Sequence, residues 1–255
     1  MSATLALARR AVVGTARQPA VFLPGLFFPL LIAAVNSAAM GRSTNLPGFP
    51  DVESFLQFLL PATLIQGVLF GGITGGSDMA LDIQDGFFER LLASPVPRTS
   101  ILVGRLAGAS VLGGVQAVLF IAVFMLFGAR VDGGVPSILT LIVLGMVMAL
   151  AVGAVASAIG LRTGSQEAVQ NSFPLVFVLL FVSSAFFPTA LMTGWYQTMA
   201  ELNPITWMID SARSLVIDEF SLAEAARALA VAAVLALGGI ALASRQLRRR
   251  VAVAA

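Results

Sequence analysis

The sequence predicts an all-α polytopic membrane protein with six transmembrane helices, an N-terminal amphipathic interface helix and a short helix in a cytoplasmic loop, all in one transmembrane domain, residues 1–255. Three observations carry this. Of the 255 residues, 58% are hydrophobic and 11% charged, whereas soluble domains carry roughly 25% charged residues. A water-soluble fold would have too little polar material to coat itself. Six apolar stretches, 20–40, 55–74, 100–127, 135–161, 172–192 and 223–243, each reach the roughly 20 residues a spanning helix needs. These runs are apolar on all sides rather than alternating, which selects helices over barrel strands.

The first segment, 1–18, reads as the interface helix. Leu5, Leu7, Val12 and Val13 alternate with Arg9 and Arg10, and Gln18-Pro19 ends the pattern. That composition suits the headgroup region or a plain basic anchor. Arg9, Arg10 and Arg17 precede a full-length apolar span, the arrangement of an uncleaved first helix rather than a cleaved signal peptide.

The arginines of the short loops orient the spans. With both termini in the cytoplasm, Arg9, Arg10, Arg17, Arg90, Arg98, Arg105, Arg162, Arg245, Arg248, Arg249 and Arg250 fall inside, and only Arg42, Arg130, Arg213 and Arg227 outside. The spans also carry small residues four apart: Gly67-Gly71-Gly75, Gly104-Gly108 and Gly145-Ala149-Gly153. Such spacing lets helix backbones approach closely in lipid, within one subunit or across a dimer seam.

All 15 basic residues are arginine, with no Lys, His or Cys. No thiol chemistry, thiolate metal site or histidine base is available, so no catalytic or metal-ligating residue is expected. The net charge of +2 reads as membrane topology rather than a nucleic-acid surface.

The cytoplasmic loop, 78–98, is the most informative segment. Asp78, Asp82, Asp85 and Glu89 recur at helical spacing as an acidic stripe; Met79, Ile83, Phe87 and Leu91 make an apolar one. Pro95 and Pro97 stop the helix before the third span. Surface helices usually present basic residues to anionic lipid. Carboxylates outward favour a basic protein partner instead.

The outer loop, 191–222, is bounded by helix breakers. After the fifth span Pro188 and Gly194 break the helix, Trp195 and Tyr196 suit the interface, and Asn203-Pro204 favours a turn. A short helix over 205–217 places Asp210 and Arg213 at i, i+3, either resting on the outer surface or gating an exit.

Polar residues within the spans are few: Asn36, Gln66, Gln116 and Asn171. They suit helix–helix hydrogen bonding better than substrate contact. Phe27, Phe28, Phe70, Phe120, Phe124, Phe177 and Phe181 either line a pathway or serve packing and lipid contact. A path so short of charge is compatible with a lipid-like or hydrophobic drug-like cargo.

The run Gly86-Phe-Phe-Glu-Arg-Leu-Leu-Ala-Ser-Pro-Val-Pro-Arg, then Gly104-Arg105, resembles the cytoplasmic signature of type-2 ATP-binding-cassette exporter permeases, especially the daunorubicin-resistance-type branch. Phe186-Phe187-Pro188, Trp195, Asn203-Pro204-Ile-Thr and Arg213 resemble that family's loop between the fifth and sixth spans. Two residues before Trp195, where the family often has Pro, this chain has Thr193.

The resemblance implies a permease subunit of an ATP-driven exporter in the bacterial cytoplasmic (inner) membrane, itself binding no cofactor. A phosphate-binding loop needs a lysine, and this chain has none. ATP and Mg would reside on a separate ATPase, two copies of it joining two permease copies as a homodimer in membrane lipid. By the same resemblance, coupling to the ATPase falls to Gly86 as a bend and to Phe87, Glu89, Arg90, Pro95 and Arg98, and the extracytoplasmic gate to Phe187, Pro188, Trp195, Asn203, Pro204 and Arg213.

Three competing classes fit less well. An ion-driven secondary transporter usually needs an ionisable residue deep in the membrane, and the acids here fall in predicted loops or near span ends. An intramembrane enzyme would need a Ser or Asp site, for which no acid is placed. A membrane assembly protein would also want the acidic docking helix, but that helix alone does not argue transport.

Overall fold

The computed structural model describes residues 3–16, 19–94 and 96–254. Among them every regular element is helical: α1 Ala3–Ala16, α2 Pro19–Met40, α3 Phe55–Gln84, α4 Phe87–Ala93, α5 Arg98–Leu126, α6 Gly134–Thr163, α7 Gln166–Gln170, α8 Phe173–Phe181, α9 Gly194–Leu202, α10 Pro204–Ile217 and α11 Leu222–Ala254, with 3-10 turns at Gly41–Asn45 and Thr189–Leu191. Within the described residues five helices are long and apolar enough to cross a membrane: Leu23–Asn45, Phe55–Gln84, Arg98–Leu126, Gly134–Thr163 and Leu222–Ala252.

The fifth predicted span, 172–192, is not one helix. Only Phe173–Phe181 is α-helical there. Pro174 sits in the first turn of α8, where its missing N–H is harmless but continuity with α7 is lost. The Ser172 hydroxyl donates to the Val169 carbonyl at 2.6 Å and the Ser183 hydroxyl to that of Leu180 at 2.5 Å, diverting backbone groups at both ends. The chain still passes from one end of the bundle to the other here, in two short pieces.

α6 lies at the centre, packed against α3, α5 and α11. α3 is enclosed on nearly every side, with Phe58, Leu60, Leu64, Ile65 and Val68 fully buried. Phe120 and Phe124 belong to this core, while Phe27, Phe28 and Phe181 remain open on the outer surface. Gln66 and Gln116 are buried within the bundle.

The small-residue steps are filled from within the chain. α1 lies along the start of α5: a Cβ placed on Gly104 would stand 2.7 Å from the Leu7 Cβ, and one on Gly108 2.5 Å from the Ala11 Cβ. Backbones touch only where side chains are this small. The interface helix is therefore not simply laid on a membrane surface; it is docked on the bundle.

Candidate functional site

The loop end is built where α3 stops. α3 continues past the predicted limit of the second span to Gln84, so Asp78 and Asp82 belong to a spanning helix, not to a separate loop helix. Gly86 then takes φ +67, a left-handed conformation that costs other residues roughly 1–2 kcal/mol. The Gly86 amide donates to the Ile83 carbonyl at 3.1 Å, and α4 starts at Phe87. At the far end of α4 the Ser94 hydroxyl donates to the Leu91 carbonyl at 2.7 Å. Pro95 lies outside the described residues, and Arg98 opens α5 with its side chain exposed.

The turn at Gly86 resets the helical phase, which corrects both predicted stripes. Met79 and Ile83 point into the bundle with Phe88, which is 1% exposed, while Phe87 lies on another side, half-buried. The acids divide as well. Arg105 of α5 pairs with Asp82 and, at 3.3 Å, with Asp78; Arg10 of α1 reaches Asp82 at 3.2 Å. Asp78 and Asp82 are thus neutralised by arginines of other helices; Asp85 and Glu89 face outward beside Arg90, with Arg250 of α11 3.9 Å from Glu89. The two partners of Asp82 lie 23 and 72 positions away in sequence, so no local pattern pointed to them.

These contacts fix α4 in place. The Arg10 guanidinium lies over the Phe87 ring, 3.8 Å from its centroid, a close cation–π contact. Leu7, Ala11, Leu81, Leu91 and Ile101 line a cavity of about 230 Å³ beneath it, together with the paired charges. Phe88 belongs to one buried cluster with Met79, Ile83, Ile101, Leu102 and Leu161. A push on the exposed face of α4 would therefore reach α1, α3 and α6 through packed side chains.

At the opposite end α9 and α10 form a helical hairpin joined by Asn203-Pro204. The Asn203 amide donates to the carbonyls of Leu179 and Val182, both at 2.6 Å, and its oxygen accepts from the Ile205 amide at 2.9 Å. One side chain closes the C-terminus of α8 and caps the N-terminus of α10, and Pro204 occupies the first turn without needing a donor.

Arg213 ties three segments together. Its guanidinium donates to Asp210 at 2.8 Å, to the Ser184 carbonyl at 2.6 Å and to the Phe58 carbonyl at 3.2 Å, and lies 3.8 Å from the centroid of the Phe58 ring. The predicted i, i+3 pair with Asp210 is present, and the arginine side chain is only 6% exposed. The Ser184 hydroxyl donates to Asp210 at 2.5 Å, and its backbone N–H to the Thr206 hydroxyl at 3.2 Å. Sequence reasoning missed Ser184 and Phe58, which lie 29 and 155 positions from Arg213.

The remaining predicted gate residues frame this hairpin. Pro188 is buried and Phe187 half-buried in the turn before it. Trp195 is 75% exposed and meets Tyr196 edge-on, ring centroids 5.7 Å apart. The Tyr196 hydroxyl donates to the Phe181 carbonyl at 2.6 Å, and burial raises its pKa above the ordinary phenol value, so it remains a neutral donor. The Asp132 amide donates to the Val216 carbonyl at 2.8 Å, and the Gln57 amide to the Asp132 carboxylate at 2.8 Å, holding the end of α10 against the α5–α6 turn.

Comparison with known proteins places these two ends in context. The sequence profile of the ABC-2 type transporter matches residues 2–217. "Putative transport permease ycf38" of Cyanophora paradoxa is 31% identical over 82% of this chain and 72% of its own length. The daunorubicin resistance ABC transporter permease protein DrrB1 of Streptomyces coeruleorubidus is 26% identical, over 85% of this chain and 75% of its own. The inner membrane transport permease YadH of Escherichia coli K12 is 24% identical, over 76% of this chain and 73% of its own.

Proposed function

The chain belongs to the ABC-2 type transporter family, and from that premise we propose how its two ends divide the work. It is the membrane permease subunit of an ABC exporter, a multi-pass membrane protein that works with an ABC ATPase partner. In our reading the end carrying α1, α4 and the tail of α11 faces the cytoplasm, as the arginine asymmetry of the loops favours, in a bacterial inner membrane with both termini inside. α4 is the coupling helix. Gly86 sets its angle, Phe87 seats it against α1, and Glu89, Arg90 and Arg98, with Pro95, are the residues assigned to the ATPase contact.

The observation that carries this reading is the two-sidedness of α4. Phe88 is locked into the bundle while Glu89 and Arg90, one and two positions on, stand exposed. A short helix held that way delivers an external push to the packed interior. ATP and Mg belong to the partner subunits, two per complex, with two permease copies. The hairpin bearing Phe187, Pro188, Trp195, Asn203, Pro204 and Arg213 closes the outer end of the pathway. The cargo is hydrophobic, drug-like or lipid-like, a class supported by the lack of free charge in the spans and by the drug resistance named for DrrB1.

The test is ATP hydrolysis by the complex in proteoliposomes, wild type against Glu89→Arg. Charge reversal on an exposed face should leave expression and insertion intact and abolish the permease's effect on hydrolysis. Normal coupling in that variant would remove Glu89 and the docking face from the mechanism.

A further inference from the structure

α11 lies wholly beyond the residues matched by the family profile, which end at 217. Its last turns carry Arg245, Arg248, Arg249 and Arg250, all counted above on the cytoplasmic side. The structure separates them. Arg245, Arg248 and Arg249 are exposed, whereas Arg250 turns inward onto the loop end.

Arg250 donates to the Leu161 carbonyl at 3.1 Å. That carbonyl is in the last turn of α6, where backbone acceptors lack an intrahelical partner. The same guanidinium stands 3.9 Å from the Glu89 carboxylate and 5.9 Å from the centroid of the Phe88 ring, within the outer reach of a cation–π contact. Gly164, at φ +64, lies beside it: a Cβ there would stand 3.5 Å from the Arg250 guanidinium, in ordinary contact. The two neighbouring phenylalanines of α4 are therefore each met by an arginine from opposite ends of the chain, Phe87 by Arg10 of α1 and Phe88 by Arg250 of α11.

We infer that Arg250 is a positioning residue for coupling, which makes α11 a second output of α4 alongside α1. This rests on the reading of α4 as the coupling helix. α11 is 33 residues long, about 50 Å at 1.5 Å per residue. It packs along α6 and against α10, so it runs from the loop end to the hairpin held by Arg213. Displacement of Glu89 and Phe88 reaches α11 directly through Arg250, and α10 through α11.

The experiment compares Arg250→Ala, Arg250→Lys, Arg248→Ala and Glu89→Arg in the complete complex with its ATPase, in proteoliposomes. It reads permease-dependent stimulation of ATP hydrolysis alongside subunit co-purification and thermal unfolding. Arg250→Ala should assemble normally yet lose at least about five-fold in stimulation, the lower range of site-to-site coupling. Arg248→Ala should match wild type. Lysine, a point charge without the planar fork, should not restore the response. Wild-type stimulation in Arg250→Ala overturns the inference, as does an equal loss in Arg248→Ala, which would make the effect one of bulk charge. Loss of assembly in both Arg250 variants also overturns it, since the role would then be structural. If Glu89→Arg abolishes the response while Arg250→Ala keeps it, only this inference fails; if both keep it, the coupling role of α4 fails first.

Discussion

Replacing Arg213 with methionine should loosen the hairpin without disturbing the rest of the bundle. Methionine keeps an unbranched side chain about as long as the arginine's stem, so the change removes mainly the guanidinium and its donors. Three bonds go: to Asp210 at 2.8 Å, to the Ser184 carbonyl at 2.6 Å and to the Phe58 carbonyl at 3.2 Å. The Asp210 side chain is 45% exposed, so solvent takes over much of that partner and the pair itself is discounted. The two carbonyl bonds have a charged donor and are buried, each contributing about 1.5–3 kcal/mol. Methionine recovers some packing against Phe58, which brings the net loss to about 3 kcal/mol. For a chain of this size that corresponds to a fall of about 6–12 °C in the transition. The assay is intrinsic fluorescence during heating in detergent, because the protein's two tryptophans, Trp195 and Trp207, both lie on the hairpin. Adding Asp210→Asn should recover part of the loss by removing the carboxylate left behind. A tryptophan transition unchanged in Arg213→Met would refute the argument, showing that Asn203 and the apolar contacts hold the hairpin alone.

Two other substitutions test the loop end. Gly86→Val forces a β-branched residue into φ +67 and should cost about 1–2 kcal/mol locally; faster proteolysis within 84–94 would report it, and an unchanged cleavage rate would show that the turn relaxes. Gly108→Leu fills the step on which Ala11 rests and should lift α1 from α5. Trypsin would then cut after Arg9 and Arg10 sooner than in wild type, and equal rates would mean that the charge pairs alone keep α1 docked.

Most of the fold was legible because a bilayer demands long apolar helices, and their lengths can be read directly. The Asp210–Arg213 pair was legible from its spacing, and the Gly86 bend from the family resemblance. What escaped is non-local. The apolar run at 172–192 signals its break only through Pro174, because the serines that divert its backbone groups look like ordinary small residues in a span. The acidic stripe read as a free face because Arg10 and Arg105 come from other helices. Phe87 was placed in the apolar stripe on the assumption of one continuous helix, and the left-handed glycine shifted that place to Phe88.

The broken crossing at α7 and α8 has a consequence for how the chain is made. α8 has nine residues, about 14 Å of helix at 1.5 Å per residue, roughly half the thickness of the hydrocarbon layer. The apolar run 172–192 is long enough for a span, but the helix it forms does not reach across the layer on its own. The groups that complete it, Asn203 on the carbonyls of Leu179 and Val182 and Arg213 on that of Ser184, are all synthesised later. The broken stretch therefore takes its final form only once residues 203–213 have been made and docked against it.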